Sequence, residues 1–348
     1  MRSKNLTFIF IAIILFCSAI YMYYTNHQNS IYSKDYFSLG TINEITILDQ
    51  NKSKSDSLLA ECGNILNNVD NKMSSHITNS EVCQINKKAG VEPVKVSDDT
   101  FYVISEAIKY SNLSDGVFDI TIGPLVDLWG VGTDNAKVPN SEEIDSKLSL
   151  IDYKNIILNE NDKSVKLIHE NMDIDLGAIA KGFAADKIAT YLKEEGVNSA
   201  IVNLGGNIYT IGCKEKNTPF KIGIQDPTQP RGNYIATIEA SNISVVTSGI
   251  YERYIEKENK IYHHMLSPFT GYPFENNLSS VTIISNKSID CDALSTSAFG
   301  LGLDKGMNLI ESLENVDVVF ITQDKKVYLS NGIKNNFDLT DDSFTVMN

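Results

Sequence analysis

Four short stretches carry residue types that could do chemistry on a phosphate-bearing ligand. The first is DIDLGAIAKGFAADK, residues 173–187, which passes from a strand-like start through Gly177 into a helical pattern. Asp173 and Asp175 precede the turn and Lys181 lies just inside it. A helix N-terminus offers unpaired N–H groups and a partial positive charge, which suit a phosphate. Gly177 permits close backbone approach, Ala178 leaves its carbonyl reachable, and Lys181 adds a cation. The spacing is not that of a P-loop, so a plain helix capped by Asp173 or Asp175, with Lys181 solvated, stands beside this reading. The second stretch is DALST, residues 292–296. On a helix, Asp292 and Thr296 are one turn apart and share a face, so carboxylate and hydroxyl can ligate one hard cation such as Mg2+. Asp292 could equally cap its own helix. The third is YHHMLSPFTGYP, residues 262–273, where a histidine can serve as general base or bond a phosphate; a strand ending in a tight turn is the plainer alternative. The fourth, SDGVFD at 114–119, could hold an aromatic or adenine-like ring or be an ordinary turn.

The elements that must position these residues can be read from periodicity. Residues 38–49 alternate as a strand, while 56–72 and 98–113 keep helical spacing, the latter with Asp98 or Asp99 as cap. Residues 114–132 have no single period and read as a structured loop. A hairpin is expected over 148–169 and a helix from the 173–187 stretch to about 195, closed by Gly196. Strands follow at 200–212, with a Gly-Gly turn or bulge, and near 220–224, 234–239 and 244–247. Residues 289–303 can be helical, a last helix is expected near 304–314, and strands at 316–322 and 326–329 close the chain. Strands and helices interleave without a βαβ rhythm, which predicts an α+β class with mixed sheets.

The chain has 348 residues, 42% hydrophobic and 21% charged, enough for a sizeable core. A net charge of −14 argues against a nucleic-acid partner. Arg2 and Lys4 precede an uncharged apolar run at 6–24. Its length is near the roughly 20 residues that span a bilayer, and the basic flank orients the body to the outside. An uncleaved signal anchor is the preferred reading. A lipoprotein signal lipidated at Cys17, despite Phe16 before it, and a cleaved signal peptide are the alternatives. All three place the body outside the cytoplasm. Residues 1–24 are thus expected to be the membrane segment, 25–37 a tether and 38–348 the functional domain. Cys62 and Cys83 could pair across a loop, but isolated packed thiols are the simpler expectation for the four cysteines of the body.

Taken together and in order, SLGT (38–41), SEVCQIN (80–86), SDGVFDITIGPLVDLWGVG (114–132), DLGAIAKGFAADK (175–187), VNLGGNI (202–208), IGIQDP (222–227), TSGIYERY (247–254), HHMLSPFTGYP (263–273) and DALSTSAFGLG (292–302) resemble the FAD:protein FMN transferases of the ApbE family. The resemblance implies an ApbE-like flavin transferase domain. It further implies transfer of the FMN half of FAD to a threonine hydroxyl of an acceptor flavoprotein, with release of AMP. Asp292 and Thr296 would be Mg2+ ligands with the carbonyl of Ala178, and Ser295 a minor ligand. Leu39, His76, Val117, Phe118, Asp119, Asp175, Lys181 and Leu266 would contact the flavin nucleotide, and His264 would be base or phosphate-positioning group. The acceptor would belong to an ion-pumping or extracellular electron-transfer complex. Leu39 stands where the family often has methionine, His76 where an aromatic ring is frequent, and Ser267 where aspartate is usual. The family's acceptor motif ends in Ala-Thr; DALSTSAF does not, so self-flavinylation is not expected. A FAD pyrophosphatase and a non-catalytic flavin-binding surface lipoprotein are the competing functions.

Overall fold

The computed structural model describes residues 31–48 and 50–347. The apolar run at 6–24 and Cys17 lie outside the described residues. Among those described, no helix is long and apolar enough to cross a membrane.

A nine-stranded sheet forms the centre. Its strands follow one another in space in the order in which they occur along the chain. They are Ile31–Ser38, Thr41–Leu48, Ser199–Leu204, Asn207–Gly212, Ser244–Gly249, Leu278–Ser285, Val316–Thr322, Lys326–Leu329 and Thr345–Met347. Only the last pair is parallel. The first two form a hairpin closed by Leu39 and Gly40, both at positive φ (53° and 67°). Residues 31–37, expected to be tether, are therefore a strand. Tyr36 and Ser38 of that strand bond to the following helix, which binds it to the body.

Among the described residues seven α-helices follow one another: α1 (Lys52–Met73), α2 (Glu81–Lys87), α3 (Asp98–Leu113), α4 (Gly123–Trp129), α5 (Ser141–Leu148), α6 (Ala180–Glu194) and α7 (Ser288–Glu311). Helix α3 has the expected bounds, but Ser97 is its cap, accepting from the N–H of Thr100. The stretch read as a loop contains a 3-10 turn at Ile120–Ile122 and then α4, with Pro124 in its first turn. Proline there removes an N–H that a helix start leaves unpaired anyway. The two helices expected over 289–314 are one element, kinked where Gly302 leaves helical geometry (φ 78°, ψ 177°).

The helices cover one face of the central sheet and enclose the main core, which includes Leu66, Ile104, Ile188, Leu294 and Val281. A three-stranded sheet (Phe220–Gln225, Tyr234–Ala240, Phe337–Leu339) covers part of the other face around a second core. Strand Leu278–Ser285 lies between the two layers, and all its residues are buried. A smaller cluster of Leu125, Trp129, Ile144 and Leu266 anchors the 262–273 turn, with Trp129 Nε1 donating to Gly271 O at 2.9 Å.

Candidate active site

The stretch before α6 is fixed by its own backbone. Ile174 exchanges two hydrogen bonds with the side chain of Asn86, and Asp175 N donates to Ile120 O at 2.8 Å. One oxygen of Asp175 accepts the Gly177 N–H at 2.8 Å and the other accepts from Ser75 Oγ at 3.1 Å. Neither Asp173 nor Asp175 caps α6, whose first turn has no local side-chain cap. The cap comes from another helix: Gly182 N donates to Asp292 Oδ2 of α7 at 2.9 Å. The favour is returned. Asp186 of α6 accepts from Ser288 N at 2.7 Å and Ile289 N at 2.9 Å, the start of α7. Each helix thus satisfies orphan donors of the other. Burial holds the Asp186 carboxyl up at about 6, against the pull of those two amides. Gly182 makes the contact possible: a Cβ there would overlap Ser288 O and lie 2.7 Å from Ile289 Cα.

This crossing assembles a set of hard oxygen donors. Asp292 is only 5% exposed, and its Oδ1 remains free of the cap, 3.5 Å from Lys181 Nζ. Lys181 Nζ also donates to Gly177 O at 2.8 Å. Ala178 stands just before the cap position of α6, so no N–H of the helix is due to its carbonyl, which stays available as a donor. Thr296, one turn after Asp292 on α7, is half-buried. A carboxylate oxygen, an unpartnered carbonyl and a hydroxyl fit a hard cation that retains waters, as Mg2+ does. Among the described residues no cluster of three or more His, Cys, Asp or Glu could hold a metal; this set uses a single acid.

His264 faces the same region. Its ring Nδ1 lies 3.2 Å from the carbonyl of Arg253, which also accepts the His264 N–H at 3.1 Å. A carbonyl partner requires the proton on Nδ1, leaving the Nε2 lone pair available. Burial pushes the imidazole down to about 4, with the charges of His263, Arg253 and Lys181 acting in the same direction. It is neutral at physiological pH. His263 is different: it is buried, bonded through Nε2 to Phe274 O at 3.1 Å, and stacked edge-on against Phe299. Beside Asp175 a cavity of about 190 Å³ is lined in part by Ser75, Asn86, Lys87, Asp127 and Asp173. Burial and the nearby Asp127 raise Asp173 to about 6.

The profile of the ApbE family matches residues 39–320. The chain belongs to the ApbE family. It is 36% identical over 320 residues to a FAD:protein FMN transferase of Klebsiella pneumoniae, covering 92% of this chain and 98% of that protein. It is 32% identical to one of Treponema pallidum, covering 90% and 91%. Among solved structures, flavin transferase ApbE from Vibrio cholerae superposes with a TM-score of 0.78 at 27% identity, over 88% of this chain and 99% of that one. The ApbE protein of Thermotoga maritima gives 0.80 at 31% identity, over the same shares. The mixed α+β class expected from the sequence is the ApbE fold.

Within this ApbE fold the residues singled out from sequence fall into two groups. Lys181 and Asp292 come together, Lys181 and Asp175 both bond Gly177, next to Ala178, and His264 lies within the field of Lys181. Leu39 is half-buried at its turn, with its N–H on Asp70 Oδ2 at 2.9 Å. Val117 is half-buried and packs against Gly300 on α7. His76 is exposed in the loop after α1. Other side chains are committed elsewhere. Phe118 is 2% exposed and packs edge-on against Tyr110. Asp119 turns inward to Thr121 and the N–H of Tyr153, and burial raises its carboxyl. Leu266 is buried in the Trp129 cluster. Ser295 is fully buried, bonded to Asp292 O at 2.9 Å and to Ser248 Oγ at 2.8 Å. Cys62, Cys83, Cys213 and Cys291 are all free thiols. Gly182, Asp186 and Arg253 were not singled out from sequence, because their roles depend on contacts between distant segments.

Proposed function

We propose that this ApbE-family chain moves the FMN half of FAD onto a threonine hydroxyl of an acceptor flavoprotein and releases AMP, with Mg2+ as its cation. The observation that carries the reading is the meeting of Asp292 Oδ1 and Lys181 at the crossing of α6 and α7, beside the turn that holds Gly177 and Ala178. Asp292, Thr296 and Ala178 would hold the cation, which when bound neutralises pyrophosphate charge and polarises phosphorus. Lys181, now resting on Asp292 and Gly177, is placed to move its charge to the phosphates. The acceptor oxygen attacks the FMN-side phosphorus, a new P–O bond forms, and the P–O bond to AMP breaks. The hydroxyl proton passes to Nε2 of His264, and AMP leaves with the bridging oxygen. So weakly basic an imidazole accepts the proton late, once the oxygen has begun to bond, and serves mainly to orient the hydroxyl. Phosphoryl transfer depends chiefly on positioning and charge stabilisation, and no nucleophile is required from this chain.

The N-terminal apolar run supports a membrane-anchored body outside the cytoplasm. There it would meet subunits of ion-pumping or electron-transfer complexes. The test uses the full chain in detergent with FAD, Mg2+ and an acceptor flavoprotein, followed by a denaturing gel. Covalent flavin fluorescence on the acceptor that needs Mg2+ and is lost in Asp292→Ala is the expected result. AMP release without labelled acceptor would make the chain a pyrophosphatase. FAD binding with no AMP release would leave only a flavin-binding protein.

A further inference from the structure

Arg253 lies in TSGIYERY, just before strand Tyr254–Lys257, and is exposed. It touches three segments that the site depends on. Its carbonyl receives both the backbone N–H and the ring Nδ1 of His264 (3.1 and 3.2 Å). Its Nη2 donates to Gly40 O at 2.9 Å. Its aliphatic stem crosses Gly132, where a Cβ would sit 2.9 Å from Arg253 Cδ. Among the described residues its guanidinium makes no ion pair, although the chain carries a net charge of −14.

The turn that Arg253 grips needs external support. Leu39 is a branched residue at φ 53°, a conformation that costs a non-glycine residue about 1 kcal/mol or more. Asp70 holds one side of this turn, accepting from Leu39 N at 2.9 Å and Ser38 Oγ at 3.0 Å. Arg253 holds the other side through Gly40. A charged donor to a backbone carbonyl is among the stronger protein hydrogen bonds, and only a long fork-shaped side chain reaches from the His264 strand to the hairpin tip while lying flat over Gly132.

We propose that Arg253 is a positioning residue for the flavin nucleotide: it ties the Leu39–Gly40 turn to the His264 strand and so sets the width of the cleft between them. This rests on the site reading above, in which Leu39 and His264 lie on the nucleotide. It adds a residue whose side chain acts through the turn rather than on phosphorus. Because the His264 contacts come from the Arg253 backbone, a side-chain substitution leaves the imidazole tautomer in place. The loss should therefore appear in binding.

The test compares wild type with Arg253→Met, which keeps the stem over Gly132, and Arg253→Lys, which keeps a cation. Three quantities are measured on the full chain: FAD affinity by flavin fluorescence quenching, the KM and kcat of AMP release, and the thermal midpoint. Arg253→Met should weaken FAD binding and raise KM by about 10-fold with kcat within about 3-fold, as expected for loss of ground-state positioning. Arg253→Lys, which keeps the charge without the fork, should recover part of that loss and stay weaker than wild type. A fall in the thermal midpoint with unchanged FAD affinity would reduce Arg253 to a structural tie and overturn the proposal. So would a loss confined to kcat, which would place the guanidinium on the transition state. FAD quenching is read without an acceptor, so it decides the role of Arg253 even if no acceptor is labelled. If Arg253→Met does not fold, the Lys variant with affinity equal to wild type and Gly40 amide exchange unchanged would also count against it.

Discussion

Replacing Gly182 by alanine tests the helix crossing on which the site depends. A methyl group there would overlap Ser288 O and stand 2.7 Å from both Ile289 Cα and Ser288 C, all backbone atoms that no side-chain rotation can clear. Restoring ordinary contact requires α6 and α7 to separate by roughly 0.8 Å. Overpacking of this kind costs about 1–3 kcal/mol. The displaced Gly182 N–H to Asp292 bond, with a charged acceptor, costs about 1.5–3 kcal/mol more. Alanine regains at most about 1 kcal/mol of helix propensity, less so near an N-terminus. The net expectation is a destabilisation of about 3 kcal/mol, measured as a lowered midpoint of thermal and denaturant unfolding. The functional loss should exceed what instability explains. A shift of that size moves Asp292 relative to Ala178 and Lys181, and misplacement by about 1 Å can cost on the order of 100-fold in rate. Mg2+-dependent AMP release should fall by that order at temperatures where the variant is folded. A Gly182→Ala protein as stable as wild type, with activity within a few-fold, would refute the reasoning: the propensity term would have won and the crossing would not set the site.

Thr296→Val removes one oxygen while keeping the side chain's shape, so the Mg2+ concentration for half-maximal AMP release should rise at least about 10-fold with little change in unfolding midpoint. Asp186→Ala leaves two amides of α7 without an acceptor, a loss of about 2–4 kcal/mol, and Asp186→Asn should recover part of it in the same denaturation assay. The neutral form of His264 is needed, and its folded value is depressed to about 4 from 6.5. The acid limb of kcat/KM due to this group should therefore lie near pH 4, and it should be absent in His264→Gln. The same depression contributes stability that is present above pH 6.5 and lost as pH falls toward 4. For a half-buried ring this is on the order of 1 kcal/mol, read as the difference in acid unfolding between wild type and His264→Gln.

Helix α3 and strand Lys326–Leu329, each with a wetter face, have the bounds that periodicity and turn residues gave them. Val316–Thr322 also has its expected bounds, as a continuous apolar run, although its last five residues are buried. Strand Leu278–Ser285 escaped notice because helices cover one side and the small sheet the other. Burial of every residue erases the alternation that marks a half-exposed strand. Ile31–Ser38 failed for the opposite reason. It is an edge strand whose outer residues, Ile31, Ser33, Asp35 and Phe37, are exposed, so its polar and aromatic mixture resembles a tether. Residues 114–132 read as a loop for want of a single period, although Gly123 and Pro124 begin a helix there. At the site, Asp292 and Lys181 were legible because their spacing and local chemistry are suggestive. Ser295, expected as a minor ligand, and Asp119, expected as a nucleotide contact, rested on the resemblance alone, and the fold shows their oxygens bonded inward. Gly182 and Arg253 carried no local signal, since the Asp292 carboxylate on Gly182 N and the Gly40 carbonyl under the Arg253 guanidinium each lie more than a hundred residues away.

The reciprocal caps explain how one carboxylate can serve both fold and chemistry. A locally capped helix would use a side chain just before its first turn and leave that residue no other role. Here α6 takes its cap from α7, through Oδ2 of Asp292, while Oδ1 points to Lys181. Under the proposed function the two oxygens keep separate tasks. A cation taken up at Oδ1 displaces an ammonium 3.5 Å away and leaves the Gly182 bond intact, so binding need not loosen the crossing that built the site. Ala178 lies before the cap position of α6, so its carbonyl owes no bond to the helix whichever group caps it. The lack of a local polar cap instead leaves Gly182 N–H for Asp292, which ties the two first turns together, and Gly at 182 lets them meet where any larger residue would hold the helices apart.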